Sequence, residues 1–242
     1  VLRSISHDLR TPLTSICGNA AILAGQGSVA ENPEQRAQLA TAIEEDARYL
    51  VGMVENLLAL TRLEQQGFTL RLEPELLEDV IFEAMNITSR RAAGHNLRAK
   101  IPDTLLMARM DARLMVQVLV NLLDNAVKYT PVGTAIYVSA LADGPWARVA
   151  VADDGPGISD VEKNHIFDMF HAAAVKKGDG RRGMGLGLAL CRSIVRAHGG
   201  DIHVFDNTPR GALFSLTLPR EANYGVQTTT FAPPLSTEPK QG

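Results

Sequence analysis

"SHDLRTPLT", Ser6–Thr14, decides how the first half of the chain reads. Around it, Leu2, Ile5, Leu9, Leu13, Ile16, Ala20 and Leu23 recur every three or four positions. That spacing predicts a helix with a narrow apolar stripe. At roughly 100° per residue, His7 points about 160° away from the stripe, towards solvent. Thr11 follows one turn later on the same outer face, and Asp8 lies to one side. Pro12 sits inside the helix, lacks an N–H and crowds the carbonyl of Asp8, at a cost of about 3 kcal/mol or more. A solvated surface histidine is the plain reading of His7, but it leaves that proline without a structural return. An exposed imidazole beside a carboxylate is also chemically useful. The carboxylate orients the ring and accepts its proton, freeing the other nitrogen to attack.

A break follows at Gly25-Gln26-Gly27-Ser28 and Asn32-Pro33, and Pro33 suits the first turn of a second helix. The second stripe is Leu39, Ile43, Ala47, Leu50, Val54, Leu57 and Leu60, with Gly67 placed to stop it. Residues 1–66 therefore read as an antiparallel helical hairpin. Two helices with narrow seams bury little surface alone, so two hairpins are expected to pair as a four-helix bundle in a homodimer.

The 242 residues are 45% hydrophobic and 21% charged, which fits one or two soluble globular domains. A net charge of −3 gives no bulk attraction to nucleic acid. No apolar run approaches the roughly 18 residues of a membrane span, and no signal peptide is recognisable. The chain opens directly inside a patterned helix, so it reads as the C-terminal part of something longer. Cys17 and Cys191 read as buried free thiols. The six histidines show no metal-site spacing.

Residues 67–220 change to a mixed pattern of strands and helices. "FTLRLE" (68–73), "NLRAKIP" and "LLMARM" read as strands, and "ELLEDVIFEAMNITSRRAAG" reads as a helix closed by Gly94. Asp111 is an N-cap candidate for "ARLMVQVLVNLLDNAVKYT". "TAIYVSALAD" and "WARVAVADD" suggest a hairpin around Asp143-Gly144-Pro145. A short helix "DVEKNHIFDMF", a Gly-rich basic loop and a helix "GLALCRSIVRAHGG" follow, and "DIHVFDN" with "GALFSLTLP" closes as a second hairpin. The expected whole is an α+β chain: a helical hairpin, then an α/β sandwich. Residues 221–242 are polar and Pro/Thr-rich, the composition of a disordered tail.

Three constellations in this half could carry chemistry. In "NLLDNAVKY", Asn121 and Asn125 share a helix face, Lys128 follows one turn later and Tyr129 is next to it. Two neutral oxygen donors plus a lysine suit a phosphate–Mg²⁺ cluster, or simply a polar helix face. In "DDGPGI", Asp153 ends a strand, where it can accept a hydrogen bond from an exocyclic amine such as that of adenine. Gly155 and Gly157 allow close backbone approach there, as an ordinary Gly-Pro turn also would. In "KKGDGRRGMGLGLA", glycines 178, 180, 183, 185 and 187 run into a helix start, whose free N–H groups favour phosphate. GxxxxGK[ST] is absent, and GxGxxG is not quite met outside a βαβ unit, which argues against a P-loop or Rossmann site.

In order, "SHDLRTP", "NLLDNAVKY", "DDGPGI" and "GMGLGLALC" resemble the H, N, G1 and G2 boxes of two-component sensor histidine kinases. The similarity covers about residues 1–219, and its details are most like the potassium-responsive Kdp-type sensor kinases. The resemblance implies a dimerisation and phosphotransfer hairpin followed by a Bergerat-type ATP-binding domain. It implies ATP and Mg²⁺ as cofactors, a response-regulator receiver domain as partner, and the cytoplasmic part of a bacterial inner-membrane protein whose membrane segment lies upstream. His7 would be the phospho-accepting nucleophile, Asp8 its orienting base and Thr11 the positioner of water in dephosphorylation. Asn125, assisted by Asn121, would hold Mg²⁺. Lys128 would contact phosphate, Tyr129 would lie near adenine and Asp153 would read the adenine amine. Gly155, Gly157, Gly183, Gly185, Leu186 and Gly187 would shape the pocket and lid. Phe167 and Phe170 would anchor the lid or simply pack.

Two features depart from the family pattern. Asp8 stands where Glu is commoner, and Asp154 stands where Asn is frequent, which is expected to add negative charge near the phosphates. Pro12 would then be a hinge beside the histidine. The rivals are a catalytically silent nucleotide-binding scaffold and a clamp-driving ATPase. The second would want a carboxylate at Asn121 and would have no use for the histidine hairpin.

Overall fold

A computed structural model describes residues 2–25, 32–64, 69–169, 171 and 185–221, with the side chains of 2–8 and 62–64 left undescribed. Helix α1 (Leu2–Ala24) continues through Pro12, and α2 (Pro33–Glu64) packs along it as a hairpin. Pro33 opens α2 as expected, and Asn32 caps it, its side-chain oxygen accepting the N–H groups of Glu34 (3.0 Å) and Gln35 (3.3 Å).

The hairpin departs from the predicted stripe and outer face of α1. Pro12 is buried, Thr11 is half-buried rather than on an open outer face, and Leu13 is 49% exposed. Cys17 is exposed, contrary to expectation, whereas Cys191 is buried as expected; both are free thiols. The reason is that α1 turns its Pro12 side inward within the hairpin, which leaves part of the stripe uncovered. On α2, Met53 and Leu60 are buried, and Leu60 joins the core of the following domain. Val51, Val54 and Leu58 lie on the opposite side of α2 and are exposed.

The second half has the order β1 (Glu73–Leu76), α3 (Leu77–Ser89), β2 (Asn96–Lys100), β3 (Met107–Met110), α4 (Ala112–Tyr129), β4 (Ala135–Asp143), β5 (Trp146–Asp153), α5 (Asp160–Lys163), α6 (Gly187–Ala197), β6 (Ile202–Asp206) and β7 (Ala212–Pro219). The main sheet runs β2-β4-β5-β7-β6, with β2 parallel to β4 and every other pair antiparallel. β1 and β3 form a separate antiparallel pair. The predicted strand 68–73 is displaced: only Glu73 belongs to β1, which is placed by its pairing with β3 rather than by local alternation. The helix around 160–170 is a single turn, with a Ser159–Glu162 capping box, followed by turns. The hairpin of β4 and β5 forms as expected, with Asp143 opposite Trp146. Gly67, Phe170, Gly183 and the tail beyond 221 lie outside the described residues.

Alternate residues of β4 and β5 (Ile136, Val138, Val149, Val151) are buried beneath the helices, while Tyr137 on the other face is 40% exposed. α4 buries Met115, Leu119, Leu122 and Leu123. Its N-cap is Asp111, as expected, accepting from Leu114 N–H at 3.2 Å. The N-terminus of α4 is also tied to the C-terminus of α6. The buried His198 ring accepts the Asp111 N–H at Nε2 (3.0 Å) and donates from Nδ1 to the Ile194 carbonyl (2.8 Å).

Burial lowers the His198 pKa, opposed by the Ile194 carbonyl and by Asp111. The folded state therefore favours the neutral ring more than the unfolded chain does. Its contribution is fully present above the unfolded value of about 6.5 and is lost as pH falls through that value towards the folded pKa. His198→Ala is expected to cost about 2 kcal/mol at pH 7.5 and to flatten the loss of stability on acidification, both read from urea unfolding at a series of pH values.

Candidate functional site

A cavity of about 600 Å³ opens between α4, the β5–α5 connection, the start of α6 and one face of α2. α4 enters it along the edge of its buried face. With Leu119, Leu122 and Leu123 held in the core, positions 121, 125 and 128 are carried to the rim, so Asn121, Asn125 and Lys128 line the cavity with Tyr129. Burial raises the Tyr129 phenol pKa, and the Lys128 ammonium lies 5.2 Å from the Tyr129 ring centroid. One end of the Asn121 amide, Nδ2, is buried without a hydrogen-bond partner. Asn121 also lies close to Gly187 at the start of α6.

Asp153 closes β5 and is buried. Its Oδ1 accepts the N–H groups of Gly155 (2.9 Å) and Ala212 (3.3 Å). Its own carbonyl accepts from the Asn207 amide at 2.8 Å. Burial raises its pKa, the two N–H groups lower it, and Asp154 raises it again. The carboxylate is thus fixed through one oxygen. Gly211 runs so close behind it that an added Cβ would stand 1.9 Å from the Asp153 carbonyl oxygen, at φ +109.

Asp154 corrects an expectation. Its carboxylate accepts the Ala135 N–H at 2.8 Å and does not line the cavity, because successive residues at the end of a strand face opposite ways. Gly155 also stands behind the wall rather than on it, its Cα packed against the Thr130 methyl, while Gly157, Gly185, Leu186 and Gly187 do line the cavity. Thr130 is held by donating to the Ala126 carbonyl (2.7 Å), so it accepts from His95 Nε2–H (3.1 Å). Leu186 is the N-cap of α6 and supplies no side-chain cap. Phe167 packs edge-on to Phe214 at 6.3 Å, beneath the Arg192 guanidinium. Cys191 lies under α4, and burial pushes its thiol up to about 12, so it is a packing residue.

Thr11 does not line the cavity, and the side chains of His7 and Asp8 are outside the described residues; the main chain of both lies on α1. Sequence reasoning missed Asp124, Arg91 and His171 in the wall, together with the α2 residues Arg48, Tyr49 and Asn56. Burial raises the Asp124 pKa, and Arg91, with Nε 3.0 Å from Oδ1, pulls it back. That pair spans 33 positions, and nothing local in either segment announces it. Among the described residues no group of His, Cys, Asp and Glu forms a metal cluster. A cation here would need a ligand that brings its own oxygens. The side-chain oxygens of Asn121 and Asn125 suit a phosphate-borne cation, and the N-terminus of α6 suits the phosphate that carries it.

Residues 1–66 match the His Kinase A (phospho-acceptor) domain, and residues 110–222 match the family of histidine kinase-, DNA gyrase B- and HSP90-like ATPases. Over 221 residues, 91% of the chain, it is 38% identical to Sensor protein KdpD of Clostridium acetobutylicum and 36% identical to Sensor protein KdpD of Escherichia coli K12. It is 32% identical over 225 residues to the adaptive-response sensory kinase SasA of Microcystis aeruginosa. The chain spans 24% of each KdpD protein and 58% of that SasA. Full-length ShkA in complex with AMPPNP superposes with a TM-score of 0.65 at 28% identity, covering 90% of this chain and 45% of that one. ThkA in complex with the response regulator TrrA shares the fold, with a TM-score of 0.71 at 23% identity over 90% of this chain and 60% of that one. With a phospho-acceptor module and an ATPase module matched in that order, and the cavity opening where α2 of the first meets the second, the chain is a histidine-kinase catalytic region.

Proposed function

We propose that the chain transfers the γ-phosphoryl group of Mg-ATP to His7 and from there to an aspartate of a response-regulator receiver domain, and that it also acts as a phosphatase, water hydrolysing that aspartyl phosphate to release inorganic phosphate. The observation that carries this is the convergence of Asn121, Asn125, Lys128, Asp153 and the uncapped α6 N-terminus on one cavity. Residues 1–66 are the phosphotransfer unit and 67–220 the nucleotide-binding unit. The free oxygen of Asp153 accepts the adenine amine, and Tyr129 lies near the ring. Lys128 and the α6 amides hold the phosphate chain, while Gly157, Gly185, Leu186 and Gly187 let it approach the backbone. Asn125 and Asn121 are the protein ligands of Mg²⁺, which supplies charge neutralisation of the triphosphate when bound. Asp8 orients the His7 ring and takes its proton, and Thr11 positions water for dephosphorylation.

The structures of ShkA with AMPPNP and of ThkA with TrrA support the partner types. No described helix is long and apolar enough to cross a membrane. In this reading, as the resemblance to membrane sensor kinases implies, a segment upstream attaches the protein to a bacterial inner membrane and this part lies in the cytoplasm. The identities to the two KdpD proteins support a Kdp-type sensor in a potassium or osmotic response.

With Mg²⁺ and γ-labelled ATP, the protein is expected to acquire an acid-labile label that His7→Ala abolishes. Label that persists in the variant would refute His7 as acceptor. ATP binding with no label in either protein would favour the scaffold reading.

Val51, Val54 and Leu58, exposed on one side of α2, are the surface that a second copy covers to complete a four-helix bundle. Val54→Asp is expected to weaken the dimer by about 2 kcal/mol, roughly thirtyfold in Kd, read by sedimentation equilibrium.

A further inference from the structure

One polar group of the cavity wall has no place in that account. His171 lines the cavity, and its Nε2 is buried with no hydrogen-bond partner. Protein interiors rarely leave a ring nitrogen in that state without a ligand or a reason. Its main chain is held firmly. The His171 N–H donates to the Asp168 carbonyl at 3.2 Å. The His171 N and O press so close to Gly185 that a Cβ added at 185 would stand 2.5 Å from one and 2.3 Å from the other. Only glycine permits this approach, and Gly185 also has φ +65. His171 is therefore clamped to the turn that leads into the uncapped N-terminus of α6.

The ring is supported as well. His165 stands 5.6 Å away, centroid to centroid, and is itself anchored through Nδ1 to the Asp168 carboxylate at 2.9 Å. A ring so placed, with an unpartnered nitrogen on the cavity wall and its backbone against the turn that leads into α6, suits an oxygen-rich anion rather than a neutral apolar group.

The geometry points to His171 as a further phosphate-binding residue of the nucleotide site, its Nε2–H donating to an oxygen of the phosphate chain gathered at α6. This rests on the reading of the cavity as a nucleotide site.

The test is calorimetric binding of ADP, and of adenosine as the probe without phosphates, to the wild type, His171→Ala and His171→Gln. His171→Ala is expected to weaken ADP about tenfold and to leave adenosine within about twofold. His171→Gln, whose amide nitrogen reaches the position of Nε2, is expected to recover most of the ADP affinity. In the wild type the His171 Nε2 nitrogen resonance is expected to shift with ADP and not with adenosine. A packing role alone would lower both affinities together and would not be rescued by Gln. Equal losses for the two ligands, or unchanged ADP binding in His171→Ala, would overturn the assignment while leaving the nucleotide site standing. A wild type that binds no ADP would overturn the nucleotide reading itself.

Discussion

The burial of one face of α4 against the main sheet is the constraint on which the site depends. Leu119, Leu122 and Leu123 are fully buried, and that fixes the rotation of the helix about its axis. Once the rotation is set, 3.6 residues per turn carry Asn121, Asn125 and Lys128 to the cavity edge. A rotation of one residue, about 100°, would bury the asparagines and expose the leucines. The apolar core and the polar site are thus two consequences of one packing decision. His198 helps hold it in place, by joining the N-terminus of α4 to the C-terminus of α6 through two hydrogen bonds.

The second organising element is the end of β5. Asp153 is buried where a carboxylate is costly, and it is tolerated because two backbone N–H groups converge on one of its oxygens. The geometry requires glycine nearby: Gly155 leaves room for Thr130, and Gly211 leaves room for the Asp153 carbonyl. Asp154 does the opposite work with the same chemistry. It satisfies the first N–H of β4 and so pins the strand that neighbours β5. Two adjacent aspartates thus divide into one that faces the cavity and one that holds the sheet.

The hairpin contributes more than an acceptor. Its second helix has three faces with different fates. One packs on α1, one carries Met53, Asn56 and Leu60 towards the cavity and the core of the ATPase module, and one leaves Val51, Val54 and Leu58 exposed. The cavity is therefore walled partly by the second helix of the hairpin. Because α2 forms part of both, its placement sets the cavity and the hairpin together.

Much of this could be read in the sequence because it is local. Helix periods, the Pro33 helix start, the Asp111 cap, the Gly144-Pro145 turn and the i, i+4 pairing of Asn121 and Asn125 all follow from backbone geometry within a few residues. The motif order then identified the two modules. What could not be read depends on contacts between distant segments. β1 is a strand because β3 pairs with it, although its own pattern is weak. Arg91 meets Asp124, His171 meets Gly185, and α2 meets the cavity only when the chain has folded. Burial of Pro12 and exposure of Cys17 were decided by which side α1 turns towards α2. A periodic stripe marks a face for burial, but only the packed structure determines which neighbour, if any, covers each part of it.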